Sequence, residues 1–153
     1  MSRTMFVVEK QPRWGPECKR QFAGSGITVQ AATNLAAIGP RLAQSPGSVL
    51  LLSFANSVAD GLRDLAWLAA ARVSTQLVVI AAASAADLEW PVRELGAANF
   101  FVAPVPGRIL TGICRRLLAP PPHLPPVPRS APNLAAWPTE LVRATELLPD
   151  SPD

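Results

Sequence analysis

Five short apolar runs alternate with stretches of helical periodicity between Thr4 and Leu118, and this alternation limits the fold more than any other feature. The runs span residues 5–8, 27–29, 49–54, 77–80 and 100–102. The third is apolar on both faces, which is typical of central strands in a parallel sheet. A strict strand–helix alternation with short links predicts a parallel sheet covered by helices on both faces.

Apolar spacing predicts which face each helix buries. The predicted stripes are Trp14, Cys18 and Phe22; Leu62, Leu65 and Ala69; Leu88, Val92 and Leu95; and Leu110, Ile113 and Leu117. Asn34 is a good N-cap for a helix over residues 35–44, which Gly39-Pro40 should weaken or kink. Pro91 suggests that the fourth helix is short or starts late.

After Leu118 the composition changes abruptly, and we expect a domain over residues 1–118 and a proline-rich extension over 119–153. Ten of the 17 prolines lie in that extension, which favours polyproline II. Residues 139–148 could form one amphipathic helix within it. Residues 124–129 resemble a docking ligand for proline-binding domains, although such tracts commonly serve as stiff linkers. The first part carries 12 Lys and Arg against seven Asp and Glu, and the extension two against four.

The composition argues against several kinds of chemistry. The single histidine, His123, lies in the proline tract, and Cys18 and Cys114 have no metal-ligand spacing, so we expect inert buried thiols. Gly24-Ser25-Gly26 precedes a strand, whereas a phosphate-binding loop follows one. We therefore predict no catalytic residue, metal or cofactor.

The sequence has no apolar run of roughly 20 residues and no signal-peptide pattern, so the expected location is the cytoplasm, away from the membrane.

Three segments in the right order resemble the receiver domain of two-component response regulators. VVEKQP, from Val7, is similar to the family's VVDDEP pattern. SFANSVADGL, from Ser53, keeps the family's spacing from the phosphate-accepting aspartate to an Asp-Gly pair. ELGAANFFVAPV, from Glu94, is similar to ELGADDYLTKPF. The resemblance implies a flavodoxin-like, doubly wound α/β fold with five strands in the order 2-1-3-4-5.

The resemblance also implies a reactive site at the strand ends, and four of its five groups are replaced. Family members use two acidic residues to hold magnesium, an aspartate that accepts the phosphoryl group, a Thr or Ser that binds it, and a Lys that pairs with it. The corresponding positions here are Glu9, Lys10, Ser53, Ala81 and Ala103, followed by Pro104. One carboxylate beside an ammonium is a poor magnesium site, and an unactivated serine is a weak nucleophile. Lys10 is either an exposed loop residue, a partner of Glu9, or an arm that reaches over the site.

The resemblance places the usual dimerisation and output face of the family on helix four, strand five and helix five. Trp90 should face outward there and could anchor an interface, unless the extension covers it. The other candidate interface residues are Phe100, Arg108, Arg115 and Arg116. The arginines equally suit a solvated helix end, and a broad basic stripe for nucleic acid is missing.

We therefore expect a pseudo-receiver that acts without phosphorylation as a protein-interaction or regulatory module, with a protein partner or as a homodimer. Two alternatives remain open at this stage. One is a residual phosphorelay receiver that uses Ser53. The other is a small-molecule binder at the carboxyl ends of the strands, where small residues leave room: Ser53, Ala55, Ala81, Ala82 and Ala103.

Overall fold

The structure, a computed structural model, describes residues 3–54 and 57–120. Its strands are β1 (Arg3–Val8), β2 (Ile27–Ala32), β3 (Ser48–Ser53), β4 (Thr75–Ala81) and β5 (Ala97–Val102). Its helices are α1 (Trp14–Gln21), α2 (Gly39–Ala43), α3 (Val58–Ala71), α4 (Glu89–Glu94) and α5 (Gly107–Leu118). Short 3₁₀ turns over Leu35–Ala37 and Ala83–Leu88 precede α2 and α4.

The five strands form one parallel sheet in the order β2-β1-β3-β4-β5, which confirms the predicted flavodoxin-like fold. The chain runs outward from β1 to β2 and then crosses back to β3 on the other side of β1. Neighbouring connections therefore diverge at the carboxyl ends of β1 and β3. In open α/β sheets this point of divergence is where a crevice opens and where ligands bind.

Alternating side chains divide the core into two layers, because successive residues of a strand point to opposite faces of the sheet. Phe6 and Leu50 lie in the layer that also holds buried side chains of α2, α3 and α4. Met5 and Leu51 lie in the layer that holds buried side chains of α1 and α5. The pair α1 and α5 thus packs on one face of the sheet, and the other three helices pack on the opposite face.

The second helical region differs from the single helix predicted over residues 35–44. Asn34 acts as the predicted cap, since its Oδ1 accepts a hydrogen bond from Ala37 N at 2.9 Å, but it caps only a 3₁₀ turn. A separate helix, α2, begins at Gly39 with Pro40 in its first turn. Proline has no N–H to donate and its ring blocks the preceding turn, so two short segments replace one helix.

Two predicted stripes were wrong in part. On α5 the buried residues are Leu110, Thr111, Cys114 and Leu118, whereas Ile113 and Leu117 are only half-buried. On α3 the buried side chains include Leu65 and Leu68, and Ala69 is exposed. Thr111 can be buried because its hydroxyl donates to the Gly107 carbonyl at 2.9 Å, which satisfies the polar atom within the helix. The stripe of α1 is confirmed. In the fourth helical region Val92 is buried, whereas Leu88 and Leu95 are half-buried and pack against the core.

Helix α5 ends at Leu118, where the extension was predicted to begin. Residues 121–153 lie outside the described residues, and so does the helix predicted over 139–148. The boundary at 118 therefore stays a prediction. Among the described helices, none is long and apolar enough to cross a membrane.

Candidate functional site

A cleft of about 150 Å³ opens at the carboxyl ends of β1, β3 and β4, and we call it the strand-end cleft. Its lining brings together the predicted residues Glu9, Lys10, Ser53, Ala81 and Ala103. Pro104, the sixth predicted residue, follows Ala103 through a cis peptide bond and does not line the cleft. Ala55 lies outside the described residues. The structure thus gathers five of the six predicted site residues into one place.

Glu9 is buried at 6% exposure, and its carboxylate is bound by the first turn of α1. Its Oε1 accepts hydrogen bonds from Arg13 N at 3.0 Å and Gly15 N at 2.7 Å, and its Oε2 accepts one from Trp14 N at 2.8 Å. These N–H groups have no partner inside the helix, and the positive end of the helix dipole favours the carboxylate. Glu9 therefore works as a helix cap.

Gly15 lets Glu9 come this close. A Cβ atom at this position would lie 2.9 Å from Ala31 Cβ and 3.1 Å from Glu9 Oε1. Both contacts are tighter than ordinary packing allows. Neither Gly15 nor the cap could be predicted from the sequence, because a carboxylate four to six residues before a helical N–H lies outside the usual capping-box spacing.

Lys10 reaches across the cleft instead of pairing with Glu9. Its Nζ lies 2.7 Å from Oδ2 of Asp60, at the start of α3, and Arg63 lies 3.2 Å from the other Asp60 oxygen. The hydrogen bond from Lys10, followed by that with Ser57, holds the pKa of Asp60 below its usual range. The two side chains are 56% and 43% exposed, so solvent screens the pair. Of the three expectations for Lys10, the structure shows an exposed arm that reaches over the site.

The remaining groups of the strand-end cleft offer little reactivity. Ser53 is half-buried at the end of β3, and Ala81 and Ala103 carry only methyl groups. Residues 3–54 and 57–120 contain no histidine that could take up the serine proton. Nor do these residues bring three His, Cys, Asp or Glu side chains together in an arrangement that could hold a metal ion.

Phe54, directly after Ser53, packs into the core against Gly61 of α3. Its side chain is fully buried, and a Cβ atom at Gly61 would overlap its ring. This contact explains why the Asp60-Gly61 pair ends in glycine. The side chain of Asp60 faces the strand-end cleft, and Gly61, which has no side chain, leaves space for the Phe54 ring.

The candidate interface residues do not form one surface. Trp90 is 72% exposed, as predicted, but Phe100 is only 8% exposed and packs in the core layer beneath α2, α3 and α4. The prediction that Phe100 is an interface residue is therefore wrong, because alternation along β5 turns its ring into the core. Val102 and Ile109 are exposed apolar side chains at the end of β5 and the start of α5.

Arg115 is exposed, and its side chain reaches towards α1. Its guanidinium carbon lies 5.5 Å from the centre of the Phe22 ring, and its Nη2 donates to the Gln21 carbonyl at 3.4 Å. At about 100° per residue, Arg108 lies about 20° from Arg115 round the helix. Ile109 and Arg116 share a position about 100° further round, on the exposed side. We define the edge surface as Trp90, Val102, Ile109 and Arg116.

Cys18 and Cys114 are free thiols in the core layer between the sheet and helices α1 and α5. Burial raises the pKa of each thiol to about 12. The thiolate, which is the reactive form, is therefore scarce at neutral pH.

Solved structures of receiver domains share this fold. The receiver domain of the TMAO respiratory response regulator TorR is 20% identical, with a TM-score of 0.64 over 76% of this chain and 96% of that one. A signal receiver domain from Vibrio parahaemolyticus is 16% identical, with a TM-score of 0.65 over 77% and 91%. A response regulator from Thermotoga maritima is 16% identical, with a TM-score of 0.62 over 77% and 98%.

No protein-family model matches the sequence, and no curated protein is similar enough to count as a relative. The structural likeness stands on the fold and on the match along nearly the whole length of the solved receivers. The described part of this chain has the fold of a response-regulator receiver domain.

Proposed function

We propose that this chain is a pseudo-receiver, which acts in signalling through protein contacts and without phosphorylation. One observation carries the proposal: the two charged residues that follow β1 are both engaged within the fold. Glu9 is bound by three N–H groups of α1, and Lys10 is paired with Asp60. Neither is left to hold a divalent metal, and Ser53 replaces the carboxylate that would accept phosphate.

Acetyl phosphate tests the chemical part of the proposal. The intact chain is incubated with millimolar acetyl phosphate and magnesium, and its mass is measured at once at neutral pH. We expect the unmodified mass alone, with a functional receiver as the positive control in the same mixture. A product heavier by one phosphoryl group, lost in the Ser53→Ala variant, would make the chain a residual phosphorelay receiver.

The edge surface supports the second part of the proposal, a protein contact. Strand β5 is at the edge of the sheet, and three of the four exposed large apolar side chains that the described residues contain lie on α4, β5 and α5. An exposed tryptophan is a frequent centre of protein interfaces. We propose that this surface contacts a protein partner, for which a second copy of the chain is the simplest candidate.

Sedimentation velocity over a range of protein concentrations tests the contact. We expect self-association that Trp90→Asp and Ile109→Asp both abolish, because a buried carboxylate without a partner opposes association. Trp67→Asp, an exposed tryptophan outside the edge surface, is the matched control and should leave association unchanged. A native chain that stays monomeric at every concentration excludes the homodimer, and association that survives both edge substitutions excludes this surface.

A further inference from the structure

A second groove lies between α2 and α3, and it adjoins the strand-end cleft at Asp64, which lines both. The groove has a volume of about 580 Å³. Its walls are mainly apolar and include Leu35, Pro40, Trp67 and Val73. Pockets that bind small molecules typically measure about 300–1,000 Å³ and combine apolar walls with a few polar groups. We call it the α2–α3 groove.

Trp67 supplies an aromatic wall of this groove. Its ring reaches over α2, where Cη2 would lie 3.5 Å from a Cβ atom at Gly39. The side chain is nevertheless 48% exposed, while its neighbour Leu68 is buried and fixes α3 to the sheet. A rigid helix thus presents an indole ring to solvent inside a concave apolar site. Indole faces attract cations as well as apolar groups.

Asp64 supplies a carboxylate on the same side of α3, three residues before Trp67. Among the described residues it has no hydrogen-bond or ion-pair partner. The two nearby cations, Lys10 and Arg63, are both bound to Asp60 instead. Partial burial, and then the neighbouring charge of Asp60, raise the pKa of the Asp64 carboxyl group. The groove therefore contains a partly buried carboxyl group that forms no ion pair with the described residues, although Arg63 and Lys10 lie near it.

We propose that the α2–α3 groove binds small organic cations, molecules with an aromatic or branched aliphatic body and one ammonium group. The apolar body packs against Trp67, Pro40 and Leu35. The ammonium group pairs with the Asp64 carboxylate and lies near the indole ring. Arg63 at the groove does not repel the ligand strongly, because Asp60 neutralises it at 3.2 Å. This proposal does not rest on the protein contact proposed for the edge surface. Of the groove's residues, Asp64 alone also lines the strand-end cleft.

The test uses the full chain labelled with 5-fluorotryptophan, whose four tryptophans are assigned by single Trp→Phe variants. The probe is 2-phenylethylamine, and its matched neutral control is 2-phenylethanol. We expect a saturable ¹⁹F shift of the Trp67 signal with the amine at millimolar concentration and about tenfold weaker binding of the alcohol. The Trp90 signal should stay in place.

Asp64→Asn separates charge recognition from simple apolar binding. We expect this variant to bind the amine and the alcohol equally, while Glu94→Gln, a charge change on an exposed residue of α4, keeps the preference for the amine. Equal affinities in the native chain overturn the proposal, as does an amine preference that survives Asp64→Asn. If Asp64→Asn does not fold, the comparison of amine and alcohol on the native chain decides alone.

Discussion

At the scale of single residues, Glu9 shows how a buried carboxylate can serve the fold by capping a helix. In the resembled family this position is expected to hold a metal ion. Here three backbone N–H groups bind both carboxylate oxygens, with the donor nitrogens at 2.7–3.0 Å. Sequence comparison alone counts Glu9 as the one retained group of the site. The structure explains why its retention need not preserve metal binding.

Glu9→Gln should destabilise the fold by about 1–3 kcal/mol, the usual cost of lost charged hydrogen bonds and poorly satisfied buried donors. A glutamine amide presents one oxygen and one NH₂ to a set of N–H donors that needs two acceptors. Urea unfolding gives the difference in free energy. Glu94→Gln on the exposed side of α4 is the matched control and should stay within about 0.5 kcal/mol of the native chain. Equal stability of the two variants would show that the cap is not important.

Lys10 and Asp60 should couple weakly, because both side chains are largely exposed. A double-mutant cycle with Lys10→Gln and Asp60→Asn, measured by urea unfolding, should give a small coupling free energy that decreases in high salt. The folded-state pKa of Asp60 is lowered, so its contribution is present at neutral pH and is lost as the pH falls through that lowered pKa. A coupling that persists in molar salt would contradict a screened surface pair.

At the scale of secondary-structure elements, the contact between Phe54 and Gly61 fixes the start of α3 against the end of β3. Glycine inside a helix is normally unfavourable by about 1 kcal/mol relative to alanine. The ring of Phe54 occupies the space of the missing side chain, so here the usual rule should reverse.

Gly61→Ala should destabilise the chain by about 1–3 kcal/mol, because the new methyl group overlaps a fully buried ring. Gly112→Ala on α5 is the matched control, since a Cβ atom there meets nothing within 4 Å. It should stabilise by about 0.5–1 kcal/mol through helix propensity. Thermal and urea unfolding check both, and the same sign for the two substitutions would contradict the packing argument.

The reaction rates of the two thiols report how tightly α1 and α5 pack on their face of the sheet. In the native chain at pH 8, Cys18 and Cys114 should react with a thiol reagent only as fast as the chain opens, and both should react at once in denaturant. Their folded pKa values of about 12 exceed the ordinary value near 9, so the free energy of unfolding should fall above about pH 9. A fast reaction of either thiol in the native chain would show an open helix interface.

At the scale of the whole molecule, the strand–helix alternation was sufficient to predict the parallel sheet, and the resemblance supplied its order. The residues that line the strand-end cleft could also be predicted from sequence, because they follow strands whose carboxyl ends must meet at one edge. The α3 and α5 stripes were wrong in part, since spacing alone does not tell Cys114 or Leu68 from their half-buried neighbours. Glu9 as a cap and the α2–α3 groove depend on tertiary contacts, which no local pattern contains. Phe100 follows the alternation of β5, but its apolar neighbours Phe101 and Val102 conceal that alternation in the sequence.

Magnesium with beryllofluoride, which mimics a bound phosphoryl group, tests whether the strand-end cleft can bind such a group. Amide NMR spectra of the intact chain would be recorded during the titration, with the signals of Lys10, Ser53 and Ala81 as reporters of the strand-end cleft. We predict no saturable shift up to millimolar reagent, because Glu9 is bound to α1 and Lys10 to Asp60. A saturable shift of these signals that requires both magnesium and beryllofluoride would contradict the account and make the cleft a working receiver site.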